Sequence, residues 1–192
     1  MEILYALLIG IGVAAASGFR VFLPLFGLAL AGRFGGVTLG EDFAWLVGNG
    51  ALAALATAML VEIAAYYLPL VDHVLDAFTS PAAIIAGTLA TAAMLAGIDD
   101  PLLKWGLALI AGGGAAGIVQ TGSVLARAAS TATTGGLGNP VVATLEWLGA
   151  LIVTLLALLA PVLVIAGLAW LVVALLRRTA AARTAPPSKN AH

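Results

Sequence analysis

Five apolar runs, at residues 3–31, 43–70, 81–98, 102–127 and 141–176, alternate with short stretches of Gly, Pro and charged residues. A helix needs about 20 apolar residues to cross roughly 30 Å of hydrocarbon, so runs of this length predict transmembrane helices. The first run is too long for one straight span. It should break at Gly18, Arg20 and Pro24, because glycine loosens a helix and proline removes a backbone donor and clashes one turn back. Residues 32–42, with Arg33, Gly35, Gly36 and Gly40, read as an exposed turn. The second run opens on Gly48, Asn49 and Gly50, contains Glu62 and closes at Pro69. Asp72, His73 and Asp76 then read as a polar connector or short interfacial helix ending at Thr79, Ser80 and Pro81, with Pro81 in the first turn of the third span.

Asp99, Asp100 and Pro101 stop the third span and signal the start of the fourth, since acids favour a helix N-terminus. In the fourth, Gly113 and Gly117 have the spacing of close helix packing, and Gly106, Ala115 and Ala116 widen that smooth face. The last run is too long for one crossing, and Pro161 is its only strong punctuation. It reads as two short spans meeting near Pro161, in preference to one kinked span preceded by a partly buried segment from Asn139. The expected fold is therefore an all-α integral membrane protein of about six transmembrane helices, some broken or kinked. Residues 1–176 form a single helical domain, and residues 177–192 form a polar basic tail, read as disordered.

Residues 9–16 and 110–116 are similar Gly/Ala-rich runs. Each is followed by a glycine and an arginine, Gly18 with Arg20 or Gly122 with Arg127, and then by a span holding Glu62 or Glu146. This points to an inverted repeat of three plus three helices. The unequal spacing of the two Arg–Glu intervals and the ease with which Ala/Gly sequence aligns with itself favour chance similarity.

Composition agrees with the pattern: 62% of residues are hydrophobic and 9% charged, against about 25% charged in soluble domains. Mean hydropathy is +1.14. Residues 1–17 begin with acidic Glu2 and lack a cleavage signal, so they are expected to be a retained span. A formal net charge of −1 argues against nucleic acid as a partner, and the absence of cysteine excludes thiol chemistry and disulfides. Arg177, Arg178, Arg183 and Lys189, with no acid among them, make the C-terminus cytoplasmic by the positive-inside bias. An Ala-, Gly- and Leu-rich, Lys-poor composition suggests a bacterial plasma membrane, and a chain this small is expected to form a homodimer.

Four charged residues stand in or beside apolar runs: Arg20, Glu62, Arg127 and Glu146. Each costs about 2.5–3.5 kcal/mol at a helix centre, so each needs a partner. Two Arg–Glu pairs could stitch helices together. Alternatively the four line a polar path, the arginines meeting an anionic solute or lipid headgroup and the glutamates acting as charge partners or proton carriers.

Residues 130–140 supply a second feature. Ser130, Thr131, Thr133 and Thr134 carry hydroxyls, Gly135, Gly136 and Gly138 offer backbone amides, and Asn139 with Pro140 can start a helix. With Gln120 these form a candidate donor set for an oxyanion; equally, the hydroxyls can satisfy their own helix. The stretch lacks the Gly-Lys-Ser/Thr ending of a P-loop and the strand of a dinucleotide fingerprint, and no cofactor is implied. Asp72, His73 and Asp76 cannot easily converge on a metal from one helix. With His192 in the tail as the only other histidine, no catalytic triad is expected. Trp45, Trp105, Trp147, Trp170, Tyr66 and Tyr67 fall near predicted span ends, where aromatic belts belong.

Three groups of residues carry a resemblance: Gly18, Phe19 and Arg20 with Phe22, Leu23 and Pro24; Leu68 and Pro69 with Asp72, Asp76, Ser80 and Pro81; and the glycines 112–114 leading through Gln120, Arg127, Ser130, Thr131, Asn139 and Pro140 to Glu146. Over about residues 3–176 the chain resembles the bacterial membrane family catalogued as domain of unknown function 4126. The resemblance implies a compact multi-span protein and no particular activity. From the residues themselves, the expected function is a small transporter or channel for an anionic or phosphate-bearing solute or lipid. A non-catalytic assembly or scaffold protein is the main rival, and an enzyme acting on a lipid phosphate ranks third.

Overall fold

The computed structural model describes the backbone of residues 2–67 and 71–184, and their side chains except at 71–76, 171, 175 and 178–184. Pro69 and the last eight residues of the tail, Lys189 among them, lie outside the described residues. All regular structure among the described residues is helical.

Helix α1 (Glu2–Ser17) ends where glycine and arginine interrupt the first run, and α2 (Phe22–Arg33) starts after a four-residue break. At that break a Cβ on Gly18 would lie 2.6 Å from Val119 Cβ and 2.9 Å from the Gln120 backbone nitrogen. Only glycine lets the chain turn this close to its neighbour. The chain then doubles back: Glu2, Ile3 and Tyr5 share one pocket with Gly35, Val37 and Thr38. The first run is thus a helical hairpin that begins and ends at one end of the molecule, with Arg20 at its tip.

A 3₁₀ helix, Glu41–Val47, meets α3 (Asn49–Ala65) at 66°. Helix α4 (Val71–Met94) runs straight through Pro81, which corrects the expected boundary there. The reason is local: Thr79 bonds Tyr66 at the end of α3 and Ser80 bonds Gln120 on α6, so neighbouring elements hold the two residues that precede the missing donor. Asp72, His73 and Asp76 accordingly belong, by backbone, to α4 and not to a separate connector. Asp100 caps α5 (Pro101–Leu107) as expected, its Oδ1 accepting from Leu103 N at 2.8 Å with Pro101 in the first turn. A π-helical turn, Ala108–Gly113, joins α5 to α6 (Gly114–Thr134). Residues 130–134 are the last turn of α6, and only 135–138 form a turn before α7 (Asn139–Leu159). Ala160, with φ −148° and ψ 64°, separates α7 from α8 (Pro161–Thr184), so the last run is two helices meeting at Pro161. Helix α8 continues past Leu176, which places Arg177 and Arg183 on helical backbone where a disordered tail was expected.

Among the described residues, three helices are long and apolar enough to cross a bilayer, Ala77–Met94, Pro101–Thr134 and Asn139–Leu159; the bent pair of the 3₁₀ helix and α3 makes a fourth if it is one span. The remaining apolar helices among the described residues, α1, α2 and the Pro161–Ala174 stretch of α8, are shorter, so helix length and composition account for up to four of the six expected crossings. Between helices in lipid, burial of apolar surface gives little drive, so small residues that let backbones approach hold the bundle together. Helix α1 is the axle of this packing. A Cβ on Gly10 would lie 2.9 Å from Thr91 Cα, and one on Gly12 would lie 2.7 Å from Ala157 Cβ. The expected packing role holds for three of the fourth span's glycines: Gly113 faces Thr88, Gly117 faces Ile84, and Gly112 presses on Gly87 and Thr91, whereas Gly106, expected to widen that face, and Gly114 have open space beside them.

Candidate functional site

Arg20, at the hairpin tip, is 2% exposed. Its Nη2 donates to Ala143 O at 3.1 Å and approaches Glu146 Oε2 at 3.0 Å. Arg127 reaches the same oxygen from α6, Nη1 to Glu146 Oε2 at 3.1 Å, and its Nη2 donates to Ser123 Oγ at 3.2 Å. Ser123 Oγ in turn donates to Glu146 Oε1. Both guanidiniums also lie against the ring of Tyr66, with Cζ 3.8 Å from its centroid for Arg20 and 4.6 Å for Arg127. Cation–π contact of this kind is strongest where water is excluded, and Tyr66 is itself buried. Its hydroxyl shares a 3.0 Å hydrogen bond with Thr79 on α4.

Glu62 has a different task. Its Oε1 accepts from Val21 N at 2.8 Å and its Oε2 from Phe22 N at 3.1 Å. Helix α2 has no side-chain cap of its own, so a carboxylate from α3 satisfies its first amides and faces its positive end. The four charges are therefore not two Arg–Glu pairs. One carboxylate, Glu146, is shared by two arginines, and the other, Glu62, fixes the backbone of the hairpin tip.

Depth follows from helix geometry. Glu146 stands seven residues after Asn139 and Arg127 seven before Thr134, so the cluster lies about 10 Å inside those helix ends. Removing ions from water there costs several kcal/mol each, which shared hydrogen bonds offset only when complete. They are incomplete at Arg20. Its Nε and Nη1, three of the five guanidinium N–H groups, are buried without a hydrogen-bond partner.

Of the residues read from the sequence as a donor set, the structure brings Gln120 to the hairpin tip, where it packs on Gly18 and donates to Ser80 Oγ at 3.2 Å. Residues 130–139 build the α6–α7 turn instead. Thr133 Oγ1 donates to Ala129 O at 2.8 Å, and Thr134 Oγ1 donates to Ser130 O at 2.7 Å and accepts from Gly138 N at 2.9 Å. Gly135 N donates to Thr131 O, and Gly135 and Gly136 take φ of 63° and 90°, the left-handed region that ends a helix. Asn139 Nδ2 donates to Thr131 Oγ1 at 3.1 Å. Ser130 Oγ is buried with no hydrogen bond. Thr133, Thr134, Gly135 and Gly138 thus spend their polar groups within the turn, two helical turns beyond Arg127.

Two members of the cluster escaped the sequence reading, and both carried a signal. Tyr66 follows Glu62 by four residues and Ser123 precedes Arg127 by four, so each pair shares a helix face. A second ion pair, Lys104 Nζ to Asp42 Oδ2 at 3.1 Å, ties α5 to the 3₁₀ helix at the other end of the molecule. The side chains of Asp72, His73 and Asp76 lie outside the described residues.

Comparison with curated proteins and with solved structures gave no match. A family model does match, described as Domain of unknown function (DUF4126), over residues 7–180. That span runs from α1 into α8 and takes in all four charged residues of the cluster and the turn at 130–140, so the chain belongs to the DUF4126 family.

Proposed function

We propose that the protein is a small membrane transporter or channel whose polar path passes the hairpin tip and accepts an anionic or phosphate-bearing solute or lipid. The observation that carries this reading is the convergence of Arg20 and Arg127 on one carboxylate oxygen, with three N–H groups of Arg20 left over. Glu146 Oε2 sits where an anion's oxygen would sit. An incoming phosphate oxygen competes with it for both guanidiniums, and Glu146 retains Ser123 as a partner when displaced. Because Glu62 holds the tip by two backbone amides alone, a change at that carboxylate is transmitted directly to Arg20.

In this reading the protein resides in a bacterial plasma membrane with its basic C-terminus cytoplasmic. The repeat of three plus three helices draws support from Thr91, on which both glycine-rich runs press through Gly10 and Gly112. The test is flux in liposomes holding purified protein, for inorganic phosphate and for a phosphate-bearing lipid. An Arg20→Gln, Arg127→Gln double variant that folds and keeps full flux would remove the arginines from the path.

One observation favours the scaffold reading: the contacts are direct, and the side chains of Arg20, Arg127 and Glu146 are only 2–6% exposed. It predicts that wild-type protein moves neither solute.

A further inference from the structure

We infer that the π-helical turn Ala108–Gly113 lets α6 slip by one residue, and that this slip opens the cluster. The opening rests on the reading of the cluster as a path; the slip itself does not. A π turn holds one residue more than the α-helical turn it replaces, and such turns recur at functional sites. This one interrupts a 34-residue helical stretch, Pro101–Thr134, upstream of Gln120, Ser123 and Arg127. With α5 in place, giving up the extra residue turns α6 by roughly 100° and advances it by about 1.5 Å. Each place along α6 is then taken by the residue before.

The sequence of α6 suits both registers. Ala115 replaces Ala116 against Gly87, and Ile118 replaces Val119 against Gly18, like for like. At the cluster the exchange is unequal: Ala126 replaces Arg127 and Gly122 replaces Ser123 beside Glu146. Glu146 keeps Arg20, and the space of the departed guanidinium lies free next to them. Arg127 moves to the exposed place of Ala128, one residue nearer the α6–α7 turn. That turn absorbs the advance, since Gly135 and Gly136 have open space beside them and the backbone freedom of glycine.

Thr91 on α4 holds the present register. Ala111, next in line for the place of Gly112, would drive its Cβ into Thr91 Oγ1. The Thr91 side chain is fully buried, and its hydroxyl has no hydrogen-bond partner among the described residues. Thr57, Thr88, Thr121, Thr144 and Thr154 each donate to the carbonyl four residues back, the usual resort of a helical threonine. Thr91 forgoes that bond while its Oγ1 faces Gly112. Turned toward Gly87 O, the hydroxyl is satisfied and clears the way for Ala111. The present register thus carries an unmade buried bond that the slipped one lacks, which brings the two nearer in energy.

The experiment uses the full chain in nanodiscs. The chain has no cysteine, so paired spin labels on Leu125→Cys and Ile152→Cys, both exposed, report α6 against α7 alone. A slip moves the α6 label by about 8 Å. Expected is a second, minor distance in wild type. Ala111→Gly removes the Cβ that meets Thr91 and should raise the share of that distance at least about fivefold, the fold-change of a relieved overpacked contact. Deleting Ile110, which is exposed, removes the extra residue with α6 in its present place. It should leave the first distance alone and abolish phosphate flux in liposomes. Ala111→Val, whose added bulk meets Thr91, is the second lock should the deletion fail to fold.

One distance shared by wild type, Ala111→Gly and the deletion overturns the slip. So does a second distance that survives the deletion, because a helix without the extra residue has none to give up. Should Ala111→Gly not fold, amide exchange at residues 108–113 makes the comparison: faster in wild type than in the deletion supports the slip, and equal rates overturn it. Full flux in the folded deletion sinks the opening role and leaves transport standing. Two distances with no flux leave the slip standing and sink the transport reading.

Discussion

Replacing Glu146 with glutamine keeps the shape of the cluster and removes the negative charge on which, among the described residues, both arginines converge. Glu146 is 5% exposed, and its two oxygens take Arg20 Nη2 at 3.0 Å, Arg127 Nη1 at 3.1 Å and the Ser123 hydroxyl. The amide oxygen of glutamine can accept from one guanidinium, while its NH₂ group turns a donor toward donors. Removing one partner of a buried ion pair costs about 3–5 kcal/mol, because the opposite charge stays buried without compensation. For a chain of this size about 1 kcal/mol moves the midpoint by 2–4 °C, so a fall of roughly 6–20 °C is expected. The measurement is thermal unfolding in detergent, followed by intrinsic fluorescence of the four tryptophans. The two arginines provide the internal control. Either Arg→Gln single variant leaves Glu146 one guanidinium, so each should lose less than Glu146→Gln. A Glu146→Gln midpoint within about 2 °C of wild type, or an Arg20→Gln loss larger than that of Glu146→Gln, would refute the shared-carboxylate account.

Other expectations follow from the same geometry. Gly18→Ala puts a Cβ 2.6 Å from Val119 Cβ and should cost about 1–3 kcal/mol in unfolding, with reduced flux because the Arg20 tip is displaced. Tyr66→Phe loses the bond to Thr79 and should cost about 1 kcal/mol, whereas Tyr66→Leu also loses the face that both guanidiniums lie against and should cost more; equal losses would remove the ring from the site. Asp42→Asn should cost at most about 1 kcal/mol, less at high salt, because the Asp42 side chain is 81% exposed and the pair is screened. Glu62→Gln keeps one acceptor for two amides; it should raise amide exchange at Val21 and Phe22 while leaving α7 protected, and uniform exchange across both would contradict the capping role.

The features that dominate insertion energetics were legible in the chain. Arg20, Glu62, Arg127 and Glu146 declared themselves because a charge in an apolar run demands a partner, and the breaks at Gly18 and Pro161 followed from backbone chemistry. Which carboxylate serves which cation was not legible. Glu62 had no sequence mark to say that it binds the Val21 and Phe22 amides and not a guanidinium; that depends on the hairpin bringing α2 beside α3. Ser130 to Thr134 misled because hydroxyl-rich sequence suits both a donor cradle and a helix that back-bonds to itself. Pro81 misled because proline marks a helix start only when nothing else holds the preceding residues, and here Tyr66 and Gln120 do. The doubling back of the first run was hidden for a similar reason, since a break in the chain does not state the angle at which it resumes.

Arg20 is synthesised long before the groups that neutralise it. The carbonyl it binds belongs to Ala143, 123 residues further along the chain, and Glu146 comes later still. At about 5–20 residues per second, the hairpin tip waits roughly 6–25 s for those partners. Over that interval the α1–α2 hairpin carries a cation that hydrocarbon does not accept, and α3 has to arrive first, because its Glu62 closes the open amides of the tip. The buried place of the tip is therefore completed only once α7 has been made.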